Sequence, residues 1–211
     1  MKIGVLGAGR VGGTLARALA GKGHDVIIGG LDPTAQAAAW QGPPVQHASP
    51  AEAAGASSLV IHATPGDTAL ERLAALRDSL AGKVLLDVSN ATERQPNGMP
   101  GGLCYPNSSL AERLQAALPD TRVVKSLNTM LFTVMANPRS LSSPPTAFVS
   151  GNDEAAKAQV TALLGELGWP TAWIMDLGGI ESARATEALI LMVPHIIRRQ
   201  GLAPFALTIA R

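Results

Sequence analysis

Short apolar runs alternate with amphipathic segments along almost the whole chain. Runs rich in Val, Ile and Leu cover residues 2–6, 26–28, 59–63, 84–88, 123–127, 147–150 and 173–177. Between them, apolar residues recur at helical spacing, for example at Val11, Leu15 and Leu19. This alternation predicts a doubly wound α/β fold, in which helices cover both faces of a mainly parallel sheet.

The same pattern predicts particular caps, loops and helices. Asp67 is placed to cap a helix whose leucines fall on one face. The Gly- and Pro-rich stretch 94–102 is predicted to be a loop. A long helix is predicted over residues 181–199, with a kink near Pro194.

The composition indicates a nearly neutral globular protein with an aliphatic core. Hydrophobic residues make up 46% of the chain and aromatic residues only 3%, and the formal net charge is +1. There is no run of like charge, so the electrostatic footprint of a nucleic-acid-binding protein is missing. No stretch of about 20 residues is continuously apolar, and a membrane span is therefore not expected.

The cysteine count and the first residues bear on the compartment. Cys104 is the only cysteine, so no internal disulfide can form, which fits a reducing environment. The chain enters a strand pattern directly at "MKIGVLG", without the apolar region and cleavage site of a signal peptide. The cytoplasm is the predicted location.

The motif "GAGRVG" at residues 7–12 follows an apolar strand and opens a helix. In this context Gly7 permits a tight turn, Gly9 lets the backbone approach a pyrophosphate, and Gly12 lets the helix lie close to the strand. The helix N-terminus then presents free N–H groups to phosphates. The motif predicts a Rossmann-type dinucleotide site, although an ordinary glycine-rich turn has the same pattern. Arg10 is predicted either to contact the cofactor or to be solvated.

Small and polar residues follow the strands, and carboxyl ends of parallel strands meet at one edge where ligands bind. Taken singly, a polar residue such as Ser89 is also explained as a turn or a cap, an explanation that is weaker for Thr64 and Asn128. Taken together, the strand ends predict a cofactor crevice. The predicted cofactor-binding residues are Gly7, Ala8, Gly9, Arg10, Val11, Gly12, Gly30, Leu31, Ala63, Thr64, Pro65, Asn90 and Asn128.

No catalytic residue and no metal ligand is predicted. None of the four histidines has a carboxylate at a spacing that suggests a proton relay, and His62 alone is kept as a candidate. No Cys or His cluster has metal-ligand spacing. Lys125 and Tyr105 are possible proton donors, but each is better explained as structural.

Six segments in this order carry a family resemblance over nearly the whole chain: "IGVLGAGRVGGTLARALAGKGHDVIIG", "HATP", "LLDVSN", "VVKSLNT", "FVSGNDEAAKAQVTALLGELGW" and "DLGGIESARATEAL". The chain resembles the NADPH-dependent coenzyme F420 reductases and is similar to the oxidoreductase domain of the STEAP metalloreductases. The resemblance implies a Rossmann core over residues 1–127 and a small C-terminal α/β extension over 128–211. It also implies a homodimer and hydride transfer between a nicotinamide and a flavin-like or F420-like ring. Such transfer needs positioning and water exclusion more than an acid or base.

The chain departs from the family pattern after its second strand. Members that bind NADP typically place Ser or Thr and then Arg there to hold the 2′-phosphate, whereas this chain has Gly30 and Leu31. Asp32 comes two positions too late for a ribose-binding carboxylate and is expected to be a turn residue. The resemblance implies NADP, NAD stays possible, and we expect modest discrimination between them.

Several alternatives remain at the level of sequence. The acceptor is F420, a flavin or another small molecule. The protein could instead sense nucleotides and bind a partner without turnover, or reduce a C=N or C=O bond in a small metabolite. The apolar residues Leu189, Met192, Ile196 and Ile197 of the last helix either pack on their own sheet or form a dimer face.

Overall fold

The computed structural model describes residues 1–209 as alternating strands and helices. The strands are β1 (Lys2–Leu6), β2 (Asp25–Gly29), β3 (Gln46–Ala48), β4 (Leu59–His62), β5 (Val84–Asp87), β6 (Thr92–Arg94), β7 (Pro100–Leu103), β8 (Arg122–Ser126), β9 (Ala147–Gly151) and β10 (Ile174–Asp176). The helices are α1 (Arg10–Gly21), α2 (Pro33–Ala39), α3 (Pro50–Gly55), α4 (Ala69–Ala74), α5 (Arg77–Leu80), α6 (Leu110–Ala117), α7 (Phe132–Met135), α8 (Glu154–Glu166), α9 (Ala183–Ala188) and α10 (Val193–Gln200).

Eight of these strands form one sheet in the order β10–β9–β8–β5–β4–β1–β2–β3. All neighbours are parallel except β8 and β9, which are antiparallel. Leu6 at the end of β1 is in register with Gly29 on one side and His62 on the other. The carboxyl ends of β2, β1, β4, β5 and β8 therefore meet at one edge. The predicted α/β fold with a mainly parallel sheet is confirmed.

Two apolar clusters, one on each face of the sheet, form the core. Strand residues alternate between the faces: Ile3 and Val5 belong to the cluster that contains Leu15 and Leu19 of α1. Residues of the opposite parity, such as Leu6, belong to the cluster that packs against α3, α4 and α6. Burying a Leu or Ile side chain contributes about 1.5–3 kcal/mol. This double coverage explains why the strands are apolar throughout rather than alternating.

Asp67 does not cap a helix, contrary to the sequence prediction. It lies in a 3₁₀ turn, Gly66–Thr68, and its carboxylate accepts a hydrogen bond from Nε of Arg94 over 2.6 Å. The carboxylate is thus held by a guanidinium instead of by the first N–H groups of α4. The predicted single helix is also divided, into α4 and α5.

The stretch 94–102 is not an unstructured loop, and that prediction was wrong. Strands β6 and β7 pair as an antiparallel hairpin, with Thr92 opposite Leu103 and Arg94 opposite Pro100. Gly98 turns the chain with a positive φ of 75°, a conformation that glycine adopts at little cost. The dipeptide Asn97–Gly98 is a hairpin signal that identifies this turn.

The predicted long helix over residues 181–199 is interrupted. Helix α9 passes through a 3₁₀ turn, Leu189–Met192, into α10, and Pro194 stands in the first turn of α10. Proline is tolerated there because the first N–H groups of a helix have no partner. Strands β9 and β10 of the predicted extension continue the main sheet, and residues 210 and 211 lie outside the described part of the chain. No helix within residues 1–209 is long and apolar enough to span a bilayer.

Candidate functional site

A cleft of about 1010 Å³ lies at the carboxyl edge of the sheet. Twelve of the thirteen predicted site residues line it: Gly7, Ala8, Gly9, Arg10, Val11, Gly30, Leu31, Ala63, Thr64, Pro65, Asn90 and Asn128. Gly12 does not. Much of the opposite wall was not predicted from the sequence. The chain after β8 and the C-terminal segment contribute apolar side chains there, among them Met130, Leu131, Phe132, Val193 and Phe205.

The glycine turn has the shape that a pyrophosphate requires. Gly7 has a φ of 111°, and a Cβ there would lie 2.7 Å from the carbonyl oxygen of Ala63. A Cβ on Gly9 would meet nothing within 4 Å, so the backbone is open to the cleft. Gly12 is buried beneath the turn, where a Cβ would overlap the carbonyl oxygen of Gly7.

Helix α1 begins directly after this turn without a side-chain cap. Its N-cap is Gly9, which has no side chain to accept a hydrogen bond from the first N–H groups, and its first turn has no acidic residue. The first N–H groups are therefore available to an anion, and the helix dipole favours negative charge there. Arg10 is exposed at the rim, with its guanidinium 5.9 Å from the ring centre of Phe132. The residues present fit a dinucleotide.

The end of β2 is uncharged on its cleft side. Gly30 is buried, and a Cβ there would overlap the side chain of Gln36. Oε1 of Gln36 is buried without a hydrogen-bond partner. Leu31 is 86% exposed, and Asp32 caps α2 by accepting from the N–H of Ala35 over 2.9 Å. Asp32 is thus a helix-capping residue where a turn residue was expected, and no basic residue occurs between Gly30 and Gln36.

The ends of β5 and β8 are joined by their asparagines. Nδ2 of Asn90 donates to the carbonyl oxygen of Asn128 over 2.8 Å, and Nδ2 of Asn128 donates to Oδ1 of Asn90 over 2.9 Å. Leu127 directly before Asn128 has a φ of 62°, which is rare outside glycine. This left-handed residue turns the chain at the point where Asn128 meets Asn90.

Four ionisable side chains form a buried cluster below the cleft. His62 at the end of β4 places Nδ1 2.9 Å from Oδ1 of Asp87 at the end of β5. Nζ of Lys125 donates to Oδ2 of Asp87 over 2.9 Å and to Oε1 of Glu187 over 2.8 Å. All four side chains are at most a few per cent exposed. Sequence spacing indicated no carboxylate partner for a histidine, whereas pairing between strands joins His62 to Asp87 across 25 positions.

Opposite charges keep Asp87 and Lys125 ionised. Burial would raise the pKa of Asp87, but the Lys125 ammonium and the hydrogen bond from His62 outweigh it and hold that pKa well below its usual range. Burial would lower the pKa of Lys125, whereas the carboxylates of Asp87 and Glu187 raise it above its usual value. Lys125 is therefore a buried structural cation. Neither it nor Tyr105 lines the cleft, and within residues 1–209 no group of three potential metal ligands occurs.

Comparison with known proteins identifies the family. The family described as "NADP oxidoreductase coenzyme F420-dependent" matches residues 2–91. A solved structure from Arthrobacter sp. FB24, provisionally assigned as an F420-dependent NADP reductase, is 41% identical with a TM-score of 0.90, over all of both chains. The chain belongs to this family. It is an NAD(P)-dependent oxidoreductase.

Two further relatives show how far the likeness extends. Metalloreductase STEAP3 of Rattus norvegicus is 31% identical over 191 residues, which make up 90% of this chain and 36% of that protein. This chain thus spans about a third of the length of the metalloreductase. An imine reductase of Streptomyces aurantiacus is 20% identical with a TM-score of 0.65, over 94% of this chain and 62% of the imine reductase chain. At this identity the likeness shows the shared fold alone.

Proposed function

We propose that this oxidoreductase transfers hydride between a nicotinamide dinucleotide and a flavin-like or F420-like acceptor. The observation that carries the proposal is the cleft itself, which has a glycine turn on one wall and an apolar wall opposite. When bound, the nicotinamide supplies or accepts the hydride. The protein's own part is to hold two ring systems together and to exclude water, which such transfer requires more than a general acid.

The predicted site residues have distinct parts in this proposal. The turn from Gly7 to Val11 holds the pyrophosphate. Gly30 and Leu31 leave room for the adenosine ribose. The nicotinamide nucleoside is faced by residues that follow β4, β5 and β8, namely Ala63, Thr64, Pro65, Asn90 and Asn128. Gly12 supports the turn from below, where it does not touch the cofactor.

For the cofactor itself, we propose that both NADPH and NADH serve, with modest discrimination. The family and the Arthrobacter protein are named for NADP. The stretch from Gly30 to Gln36 nevertheless offers no cation to a 2′-phosphate, and the unpartnered Oε1 of Gln36 is suited to accept from a ribose hydroxyl. Neither cofactor is therefore strongly favoured at this position.

Turnover tests the proposal directly. NADPH and NADH are each mixed with F420, FMN or FAD, and oxidation is followed by absorbance of the reduced nicotinamide. Gly9→Asp would place a carboxylate at the pyrophosphate without a steric clash, and we expect turnover to fall at least about tenfold. Gly55→Asp is the matched control, because a Cβ there also meets nothing within 4 Å.

The outcome also separates the alternatives. Dinucleotide binding without turnover of any acceptor would contradict hydride transfer to a flavin-like ring and favour a nucleotide-sensing protein. Reduction of a small C=N or C=O compound in place of every flavin or F420 acceptor would favour the metabolite reductase. That alternative has weaker support, since neither Lys125 nor Tyr105 reaches the cleft.

We further propose that the protein is a homodimer formed through its C-terminal helices. Among the predicted interface residues, Met192 is 47% exposed and the other three, Leu189, Ile196 and Ile197, are half-buried; the neighbouring Leu191 is 42% exposed. A second copy would remove this apolar surface from water. Light scattering tests the proposal. We expect wild type to have twice the monomer mass and Met192→Lys to have the mass of a monomer. A monomeric wild type would contradict the proposal.

The proposed location is the cytoplasm. Its support is the single cysteine, Cys104, which is half-buried and suits a reducing compartment. Cell fractionation with an antibody to the native protein tests this, and recovery in a membrane or secreted fraction would contradict it.

A further inference from the structure

Two hydroxyl groups that line the cleft are held by the same buried pair. Oγ1 of Thr64 lies 2.7 Å from Nε2 of His62. Oγ of Ser89 donates to Oδ1 of Asp87 over 2.8 Å, and Nδ1 of His62 lies 2.9 Å from that same oxygen. Thr64 and Ser89 thus stand on neighbouring strand ends, and each is bonded to one member of the His62–Asp87 pair.

The directions of these hydrogen bonds follow from Asp87. An ionised carboxylate only accepts, so both the Nδ1–H of His62 and the hydroxyl of Ser89 must donate to it. In the imidazole tautomer protonated at Nδ1 alone, Nε2 carries a lone pair and accepts from the hydroxyl of Thr64, 2.7 Å away. With this tautomer both hydroxyl protons point away from the cleft, and both oxygens present lone pairs to it.

The buried ammonium of Lys125 helps to hold Asp87 in this arrangement. Oδ1 of Asp87 also accepts the backbone N–H of Ser89, and Oδ2 accepts Nζ of Lys125. Glu187 balances Lys125 and is itself bonded by the first two N–H groups of α6, from Leu110 and Ala111. Every oxygen of Asp87 is met by a donor, which keeps the carboxylate ionised.

The sheet order indicates what these oxygens face. Gly30, at the adenosine end of the proposed site, lies on the β2 side of the β1 glycine turn, whereas Thr64 and Ser89 lie on the other side, at the ends of β4 and β5. Thr64 directly flanks the turn, since its Cγ2 lies 3.2 Å from an ideal Cβ on Gly7. The group that follows the pyrophosphate on this side is the nicotinamide ribose, whose two hydroxyls are hydrogen-bond donors.

We propose that the His62–Asp87 pair fixes Thr64 and Ser89 as acceptors for the hydroxyls of the nicotinamide ribose. Thr64 and Ser89 touch the cofactor, and His62 is a positioning residue that acts through Thr64. The cleft is then divided into a donor region at the glycine turn, which suits phosphate, and an acceptor region beside it, which suits ribose. This inference rests on the proposed dinucleotide site.

Calorimetric binding of three ligands tests the inference without turnover. The ligands are NAD⁺, an NAD⁺ analogue that lacks both hydroxyls of the nicotinamide ribose, and ADP. We expect wild type to bind NAD⁺ about 3- to 10-fold more tightly than the analogue. Thr64→Val should remove the part of that difference that depends on Thr64, while Ser89 retains the rest, and should leave ADP binding unchanged, whereas Thr64→Ser should restore the full difference. Thr68→Val, at an exposed position outside the cleft, is the matched control.

A double-mutant cycle tests the positioning role of His62. Asn in place of His62 keeps a donor near Asp87 but lacks the Nε2 atom, so the hydroxyl of Thr64 becomes free to rotate. We expect His62→Asn to weaken NAD⁺ binding about 2- to 5-fold and to leave ADP binding unchanged. In a Thr64→Val background, the same substitution should have little further effect on NAD⁺ binding. Melting temperatures identify any variant that fails to fold, and the comparison of NAD⁺ with its analogue on wild type needs no variant.

The outcomes separate this inference from the proposed function. If wild type binds NAD⁺ and the analogue equally, the inference is overturned while the dinucleotide site stands. The same holds if Thr64→Val weakens NAD⁺ and ADP alike, because the role of Thr64 is then structural. Additive effects of His62→Asn and Thr64→Val overturn the positioning role. If wild type binds neither NAD⁺ nor ADP, the proposed function fails, and the inference fails with it.

Discussion

Nζ of Lys125 lies 2.8 Å from Oε1 of Glu187, and this ion pair joins the middle of the sheet to the C-terminal helices. Lys125 is on β8 and Glu187 on α9, 62 positions later in the chain. The same ammonium also holds Asp87 on β5. One cation therefore ties together three segments that are distant in sequence, directly below the candidate cofactor cleft.

Removing this cation should destabilise the protein strongly. Lys125→Met keeps much of the side-chain volume but leaves the carboxylates of Asp87 and Glu187 buried without their counterion. Breaking a buried pair in this way costs about 3–5 kcal/mol in the free energy of unfolding. Urea denaturation measures the loss. The control Lys22→Met, at an exposed position, should change the free energy of unfolding by less than about 0.5 kcal/mol. A loss below about 1 kcal/mol at Lys125 would show that the cluster does not depend on its charge.

Acid stability should report the depressed pKa of Asp87. The folded pKa lies below the unfolded value of 3.8, so the unfolded chain binds the proton more tightly. The stabilisation by Asp87 is complete above that unfolded value and is lost as the pH falls toward the lower folded pKa. We expect the melting-temperature difference between wild type and Asp87→Asn to be constant from pH 5 to 7 and to shrink below pH 4. A difference that stays constant down to pH 2.5 would contradict the shift.

Much of the fold and of the cleft was predictable because its signals are local. The glycine turn at Gly7 and the polar strand ends at Thr64 and Asn128 follow from residue type and position next to an apolar strand. Parallel pairing then brings these ends to one edge without further information. This is why twelve of thirteen predicted residues line the cleft.

The buried cluster could not be predicted in the same way. Its contacts depend on which strands become neighbours and in what register, and His62 meets Asp87 only because β4 and β5 pair residue for residue. Lys125 and Glu187 require the C-terminal helices to return over the sheet. A usable signal did exist: a histidine, an aspartate and a lysine interrupt otherwise apolar strands near their ends, where a lone charge would be costly.

Discrimination between the cofactors should change when a cation is supplied beside Gly30. Leu31 lines the cleft and is largely exposed, so Leu31→Arg adds a guanidinium to the rim without burying charge. We expect the affinity for NADPH relative to NADH to rise about five- to tenfold, less than a buried contact would provide because solvent screens the charge. Calorimetry with both cofactors gives the ratio. Leu202→Arg, exposed outside the cleft, should leave the ratio unchanged; an equally unresponsive Leu31→Arg would mean that the 2′-phosphate lies elsewhere.

Packing between the glycine turn and helix α1 should tolerate no added methyl group at Gly12. The neighbour that a Cβ there would overlap is the backbone oxygen of Gly7, which cannot rotate aside as a side chain would. Gly12→Ala must therefore displace the helix or the turn, and we expect a loss of about 1–3 kcal/mol in the free energy of unfolding together with weaker dinucleotide binding. Gly21→Ala is the control in the same helix, because its Cβ meets nothing within 4 Å. It should be neutral or stabilise by up to about 1 kcal/mol. Equal stability of the two variants in urea denaturation would refute the close approach of α1 to the turn.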